Sequence, residues 1–320
     1  MKKVYKPIDI SRIKTQSMAE QAVGIKSIDF ARTYKTGMSF RDFAKSLPHL
    51  SKAQELISLA KIFAEAIKTD KTIIIMLGSN MIECGLSPII IDAIESGMVS
   101  CISLTGTGAV HDFEIAYVGH TIADFSDSGI AGNFSISDES GKLLNNTLRS
   151  ARKTSFGAGK ALASFVRNSD YSYKTSSILY ACDTYGVPAT IHFSIGADAI
   201  QQHPLSDGSV LGELSFRDFE LFAGVVSNLA NGGLVINAGS SVILPEVFLK
   251  ALTISKNVGK DVSVFNAANF ELLQPTRAQN NMLKMAELSG GAAHSFSGHN
   301  EIMIPLLFGM VKEYMVEDNA

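Results

Sequence analysis

The chain alternates between segments with helical spacing of apolar residues and short runs that are apolar throughout. Apolar positions recur at helical spacing over residues 53–68, and the continuous run Ile73–Leu77 follows. Such a run is typical of a strand that is covered on both faces of a parallel sheet. A second helical pattern over residues 81–96 and a second strand pattern over residues 99–104 repeat this order. The repetition predicts strand–helix units and hence a parallel sheet.

Further strands are predicted along the second half of the chain. Strand patterns lie at residues 189–195, 234–237 and 262–265, and helical patterns lie between them at residues 215–230 and 245–254. Residues 119–160 are rich in Ser, Gly, Asp and Asn, which predicts loops over the carboxyl edge of the sheet, where α/β folds place their sites. The predicted fold class is therefore α/β, with a parallel, doubly wound and Rossmann-like sheet.

The first 50 residues differ from the rest because they are polar and irregular, apart from a helix that begins at Ser39. We interpret residues 1–50 as an N-terminal arm that packs on a neighbouring subunit, and residues 51–320 as a single α/β domain. Hydrophobic residues make up 46% of the 320-residue chain and charged residues 18%. That apolar content favours a sheet covered on both faces and further area buried between subunits.

Charge and cysteine content exclude several classes of function. The net charge of −3 gives no broad positive surface, so nucleic acid is not an expected partner. The three cysteines are scattered singly, which fits neither a disulfide framework nor a thiolate metal cluster and is typical of a reducing cytoplasm. The basic amino terminus has no apolar segment behind it, and no apolar run is long enough to span a membrane. We therefore expect a cytoplasmic protein without a membrane partner.

Small residues follow four of the predicted strands. These turns are Gly78-Ser79-Asn80, Gly106-Thr107-Gly108, Gly196-Ala197-Asp198 and Gly239-Ser240-Ser241. Glycine lets the backbone approach a pyrophosphate, and helix N-termini offer unpaired N–H groups to phosphate. Asp198 can accept a hydrogen bond from a ribose hydroxyl. A GxGxxG fingerprint is absent, but four such turns at strand ends predict a site for a nicotinamide-type dinucleotide.

Polar side chains beside these turns are candidates for acid–base chemistry. His111 and Asp112 follow the second turn directly, which predicts that both lie at the rim of the crevice. A histidine there can transfer a proton, whereas an aspartate near a helix start also favours the helix dipole. His192 lies within a strand pattern and is interpreted as a core histidine. The seven histidines show no paired ligand spacing, so we expect no metal site.

Lys284 is a candidate nucleophile because Leu283 and Met285 flank it in the sequence. An amine in apolar surroundings has a lowered pKa and can form an imine with a carbonyl carbon. A lysine that extends along the protein surface is the alternative interpretation.

Several of these segments together resemble the deoxyhypusine synthase family, and in particular its short bacterial branch, which includes homospermidine synthases. The segments are residues 77–80, 104–112, 187–198, 233–241 and 300–307, and the most specific parts are residues 239–250 and 301–307. The resemblance covers most of residues 70–310 with matching order and spacing. It implies an NAD-binding α/β fold, a homotetramer with sites between subunits, and transfer of an aminobutyl group between small amines of polyamine metabolism, such as spermidine, through imine intermediates.

By position, the resemblance also implies roles for particular residues. Lys284 falls near the family's catalytic lysine, and His111, Asp112 and Glu246 are expected to manage protons or substrate amines. The residues expected on NAD-binding segments are Ser79, Asn80, Thr105, Gly106, Thr107, Gly108, Asp198, Gly239, Ser240, Asn269 and Asn300.

Departures from the family leave the substrate open. The family's eukaryotic members surround the polyamine with carboxylates just before the lysine, whereas residues 271–284 here carry Arg277 and no acid after Glu271. A dicationic substrate finds little countercharge in that segment. Arg277 suits a carboxylate-bearing amine, so an NAD-dependent enzyme without a covalent lysine is one alternative. A non-catalytic paralogue that binds NAD is another.

Overall fold

The structure, a computed structural model, describes residues 3–122 and 137–316. Contacts divide the chain into two units, Met1–Gln54 and Glu55–Ala320. The first unit consists of extended chain, short 3-10 turns and helix α1 (Phe40–Ser46). The Ser39 hydroxyl accepts a hydrogen bond from the Asp42 N–H at 3.1 Å and so caps α1. The predicted helix start at Ser39 is confirmed.

The second unit contains a six-stranded sheet in which every neighbouring pair is parallel. The strands are β1 (Ile73–Leu77), β2 (Cys101–Thr105), β3 (Ala189–His192), β4 (Leu234–Ala238), β5 (Asn266–Glu271) and β6 (Ala293–Ser297). Their order across the sheet is β3-β2-β1-β4-β5-β6. This is the strand order of doubly wound dinucleotide-binding folds. The predicted α/β fold class is confirmed.

Helices precede, connect and follow the strands. They are α2 (Ser51–Lys68), α3 (Asn80–Glu83), α4 (Ser87–Glu95), α5 (Gly106–Val118), α6 (Asp138–Ala151), α7 (Ala158–Arg167), α8 (Ile178–Tyr185), α9 (Gly208–Val226), α10 (Ile243–Asn257), α11 (Thr276–Ala278), α12 (Lys284–Ser289) and α13 (Asn300–Val316), with a π-helical turn at Gln279–Leu283 between α11 and α12. Every residue of β1 and β4 is buried, so both faces of the sheet are covered. In the described parts of the chain, no helix combines the length and the apolar content that a bilayer span requires.

Two predicted helical or loop regions differ in extent from the structure. The single helix predicted over residues 81–96 is two helices, α3 and α4, because Gly85 takes a left-handed φ of +73° between them and Pro88 lies in the first turn of α4. The loop region predicted over residues 119–160 contains the helix α6. The Ser137 hydroxyl accepts from the Ser140 N–H and caps α6, whose buried side chains recur at helical spacing. Residues 123–136 of this region lie outside the described residues.

Two strands also differ from the predicted pattern. Residues 262–265 are not a strand, although Val262 and Phe265 are buried, and β5 begins one residue later at Asn266. The apolar side chains of this segment thus enter the core from a loop. Strand β6 was not predicted because its sequence, Ala-His-Ser-Phe-Ser, has no apolar run and its burial alternates along the strand.

Aromatic and aliphatic side chains fill the core beneath the second half of the sheet. Phe222 of α9, Phe248 of α10 and Met282 of the π-helical turn are buried with Phe265 in one cluster. The rings of Phe248 and Phe265 meet edge to face at 5.8 Å. This packing fixes the helices that follow β4 and β5, and therefore the polar residues at their N-terminal ends.

The turns after β1 and β4 approach each other backbone to backbone. The Gly78 N–H donates to the carbonyl oxygen of Ala238 at 2.9 Å. A Cβ atom at Gly78 would overlap the carbonyl group of Gly239. Only glycine therefore fits at position 78 without a shift of the neighbouring turn.

We expect the replacement Gly78→Ala to lower the free energy of unfolding by about 2 kcal/mol or more, because its methyl group meets fixed backbone atoms. The matched control is Gly212→Ala in α9, where an added Cβ atom meets open space. That control should raise the free energy of unfolding by up to about 1 kcal/mol through helix propensity. Urea unfolding followed by circular dichroism measures both, and equal midpoints for the two variants would contradict the close approach.

Candidate cofactor and substrate site

The carboxyl ends of β1 and β4 form the centre of the candidate site, because the strand order reverses between these two neighbours. Gly239 has a left-handed φ of +72° in the turn after β4. A Cβ atom at Gly239 would lie 3.5 Å from the Cβ atom of Asn80 and 3.7 Å from Nδ2 of Asn300. The fold thus brings together the β1 turn, the β4 turn and the first residue of α13, all of which the sequence predicted as cofactor-binding segments.

Asn300 presents a buried acceptor at this centre. Its Nδ2 donates to Oδ1 of Asn80 at 3.4 Å. The residue is 5% exposed, and its Oδ1 has no hydrogen-bond partner among the described residues. Leaving a buried acceptor without a partner costs free energy, so such atoms occur where a ligand or ordered water supplies the donor.

A second buried amide, that of Asn237, lies in β4, two residues before Gly239. Nδ2 of Asn237 in β4 donates to Oδ1 of Asn269 in β5 at 2.7 Å and to the carbonyl oxygen of Ser240 at 2.9 Å. Oδ1 of Asn237 lacks a hydrogen-bond partner within the described parts of the chain. The amide of Asn269 is itself engaged, because its Nδ2 donates to Gln274 at 3.0 Å. The Ser240 hydroxyl accepts from the Leu244 N–H at 3.2 Å, which holds the start of α10.

The turn after β2 is held by side-chain caps. The Thr105 hydroxyl accepts from the Gly108 N–H at 3.2 Å. The carboxylate of Asp198 accepts from both the backbone N–H and the hydroxyl of Thr107 at 3.1 Å, and from the Ser194 N–H at 2.6 Å. Burial raises the pKa of Asp198. This carboxylate therefore holds the Gly106–Thr107 backbone in place, which differs from the ribose contact expected from the sequence.

His111 lies between two glutamates. Its Nδ1 is 3.0 Å from Oε2 of Glu114, and its Nε2 is 3.3 Å from Oε1 of Glu83 at the end of α3. The side chains of His111 and Glu114 are 4% and 5% exposed, whereas that of Glu83 is 44% exposed. The three side chains form a chain of contacts that runs from the interior to the surface, which we call the Glu83–His111–Glu114 chain.

Asp112 does not lie at the rim of the crevice, contrary to the sequence prediction. It is fully buried, and its carboxylate accepts from the Ser177 hydroxyl at 2.5 Å and from the N–H groups of Ile178 and Leu179 at 2.7 and 3.1 Å. Burial raises its pKa to about 6. Because His111 and Asp112 are adjacent in α5, their side chains point in different directions. Asp112 stabilises the N-terminus of α8.

The remaining candidates lie on α10 and around the π-helical turn. Glu246 forms an ion pair with Arg277, and this pair lowers the pKa of Glu246. Lys284 is exposed at the start of α12, although Leu283 beside it is buried. The prediction that Lys284 lies in apolar surroundings is wrong within this chain, because adjacent residues of a helix face different sides. A π-helical turn directly before it is a feature frequent at functional sites.

The sequence prediction missed Glu83, Glu114 and Asn237. Glu114 follows His111 by three residues, a spacing that places two side chains on one helix face and could have identified the pair. Glu83 comes from another strand end, so no local signal connects it to His111. His192 is buried, with Nε2 at 3.1 Å from the Thr190 hydroxyl, and the interpretation as a core histidine is confirmed. Across residues 3–122 and 137–316, no group of three or more His, Cys, Asp or Glu side chains can hold a metal ion.

Comparison with known proteins identifies relatives at the level of family and fold. A family model described as deoxyhypusine synthase matches residues 49–240. No curated protein matches the chain. Among solved structures, a protein described as a conserved LOR/SDH protein from Methanococcus maripaludis S2 has a TM-score of 0.52 and 16% identity, and the match covers 82% of this chain and 70% of that one.

Two further solved structures match the chain at lower coverage or similarity. ArgZ, an arginine dihydrolase from the ornithine-ammonia cycle in cyanobacteria, has a TM-score of 0.52 and 12% identity over 81% of this chain, and only 31% of its own length is covered. A protein from Entamoeba histolytica described as a deoxyhypusine synthase has a TM-score of 0.49 and 12% identity, with coverage of 88% of this chain and 96% of that one. At these identities, the likeness to the archaeal and cyanobacterial structures shows the fold alone.

We expect Asp112→Asn to lower the free energy of unfolding by about 1–3 kcal/mol, because an amide replaces one acceptor oxygen and leaves a buried donor unpaired. The control is Asp170→Asn, a change at an exposed aspartate that should alter stability by less than about 0.5 kcal/mol. Urea unfolding measures both. Normal stability of Asp112→Asn together with lost enzymatic turnover would show that the carboxylate acts in chemistry and not as a cap.

Proposed function

The chain belongs to the deoxyhypusine synthase family, and we propose that it is a transferase that uses NAD to move an aminobutyl group between small amines. NAD is the cofactor of this family. The observation that carries the proposal is the convergence of the β1 and β4 turns on two buried amide acceptors, Asn237 and Asn300, that lack partners among the described residues. Donor groups of a ligand satisfy such acceptors.

The residues at the centre of the site fit a dinucleotide. Gly108 and Gly239 lie in the turns after β2 and β4, where the absence of a side chain allows the close approach to backbone N–H groups that a pyrophosphate needs. In the proposed complex the first turn of α5 faces the phosphates, and Asn80 and Asn300 bind polar groups of the cofactor. Asp198 acts indirectly, because it holds the Gly106–Thr107 backbone in position.

Bound NAD would supply a reversible hydride acceptor for oxidation of the donor amine, so the overall transfer would have no net redox change. The Nζ atom of Lys284 takes the four-carbon unit as an imine, and the C–N bond to the rest of the donor breaks as that amine leaves. The acceptor amine then forms its own C=N bond and releases Lys284. His111 lies between Glu83 at Nε2 and Glu114 at Nδ1, and it holds a proton between these two carboxylates on the substrate side of the site.

The exposure of Lys284 favours a second candidate function. A lysine in water lacks the apolar surroundings that activate an amine, so an NAD-dependent reaction on a small amine without a covalent lysine also fits. The variant of this idea in which Arg277 binds a substrate carboxylate is less well supported, because Arg277 is paired with Glu246. In the transferase proposal a neighbouring subunit of a homotetramer covers Lys284 and supplies the apolar contact.

We expect Gly108→Val to reduce the affinity for NAD at least about tenfold, because its side chain would occupy the space between the Thr105 hydroxyl, 3.1 Å from the added Cβ, and the Ser79 backbone, 3.6 Å from it. The control is Gly224→Val in α9, where an added Cβ meets open space. Titration calorimetry measures NAD binding, and circular dichroism checks the fold. Affinity at the wild-type level in Gly108→Val would place the cofactor at another turn, and absence of NAD binding by the wild-type protein would refute the proposed function.

We expect Lys284→Ala to lower aminobutyl transfer by about 10³-fold or more, because it removes the amine that carries the group. Lys256→Ala, at an exposed lysine of α10, is the control and should keep full activity. Spermidine and putrescine serve as the donor and acceptor in the assay. Reduction with borohydride during turnover should add the mass of an aminobutyl group to the peptide that contains Lys284. Turnover that survives in Lys284→Ala would favour the second candidate function.

A further inference from the structure

The Glu83–His111–Glu114 chain lies at the edge of the cofactor centre. Glu83 follows Asn80 by three residues in α3, so the two side chains lie on the same side of that helix. Asn80 contacts Asn300 at the centre of the site. His111 follows Gly108 by three residues in α5, and the Cβ position of Gly108 faces Ser79 at 3.6 Å. The two short helical segments thus carry Glu83 and His111 to one side of the proposed NAD centre.

The buried end of this chain is satisfied by the protein itself. Oε2 of Glu114 accepts from the Ile122 N–H at 3.0 Å as well as facing His111, and Oε1 accepts from the Ser140 hydroxyl at 3.3 Å. Charge-assisted hydrogen bonds of this kind stabilise a buried carboxylate. Glu114 therefore fixes the orientation of the imidazole ring and has little capacity left for a ligand.

The outer end remains open to a cation. The group contains two glutamate side chains and one histidine, so acidic side chains outnumber the basic one. In the described part of the chain, neither Glu83 nor Glu114 forms an ion pair with a lysine or an arginine. Glu83, with 44% of its side chain exposed, is the member that a small molecule can reach.

We propose that Glu83 binds an ammonium group of the substrate and that His111 and Glu114 position its carboxylate. The inference rests on the proposed function of an NAD-dependent enzyme for small amines and adds to it the residue that supplies the countercharge for the substrate. A carboxylate-bearing amine such as ornithine would place a second negative charge beside Glu83. No acid lies between Glu271 and Lys284. In the proposed complex, Glu83 supplies the missing carboxylate from a different strand end.

The test uses the full-length protein saturated with NAD and titrated with putrescine and with ornithine in a calorimeter. Wild type should bind putrescine at least about tenfold more tightly than ornithine. Glu83→Gln should weaken putrescine binding about tenfold and change ornithine binding less than about twofold. Glu220→Gln, at an exposed glutamate of α9, is the matched control and should change neither affinity.

The outcomes separate this inference from the proposed function. Normal NAD affinity with unchanged putrescine binding in Glu83→Gln would overturn the role of Glu83 and leave the NAD enzyme intact. Preference of the wild type for ornithine would overturn the proposed selection by Glu83 against a carboxylate-bearing amine. Failure of the wild type to bind NAD would overturn the proposed function itself.

A double-mutant cycle tests the positioning role. Glu114→Gln should weaken putrescine binding about threefold to tenfold in the wild-type background and have little further effect when Glu83 is already Gln. A merely structural role of Glu114 would lower putrescine binding equally in both backgrounds. Thermal unfolding and NAD affinity of each variant check that the site is intact, and Glu114→Asp should recover part of the lost affinity.

Discussion

The close approach of two backbone turns, at Gly78 and Gly239, is the constraint on which the carboxyl edge of the sheet depends. β1 and β4 are neighbours in the sheet but far apart in sequence, and the strand order reverses between them. A side chain at position 78 would push the turns apart. Because Asn80 and Asn300 converge on the same point, any widening there would also separate the groups that we assign to the cofactor. The same two turns therefore determine both the packing of the strand ends and the positions of the proposed ligand-binding groups.

Buried carboxylates in this protein serve different purposes according to what faces them. Asp112 and Asp218 accept hydrogen bonds from backbone N–H groups, and burial raises the pKa of Asp112 to about 6 and that of Asp218 to about 7. Asp198 likewise holds a turn. These acids are fully occupied by the fold. Glu83 differs because its carboxylate contacts a histidine and is 44% exposed, and within the described part of the chain it forms no ion pair with a lysine or an arginine. A raised pKa is therefore not needed to identify a functional acid.

The sequence predicts the sheet class and the positions of its turns because parallel strands have continuous apolar runs. β1 and β4 were found in this way, and the glycines after them locate the centre of the site. The pattern fails for β6, where polar residues alternate with buried ones, and for residues 262–265, whose apolar side chains are buried without pairing in the sheet. Periodicity reports burial, and burial is shared by strands and by loops that cross the core.

The roles of single side chains are harder to predict from the sequence. Each role depends on the direction in which the side chain points, and adjacent residues of a helix point in different directions. His111 and Asp112 are neighbours in sequence, yet the first faces Glu83 and the second caps α8. Lys284 shows the same effect beside the buried Leu283. Conversely, Glu83 and His111 meet although 28 positions separate them, since parallel strands bring successive turns to one edge. Countercharge for an amine therefore need not stand near the lysine in sequence, and a family member can lose the acids of one segment while another strand end supplies the carboxylate.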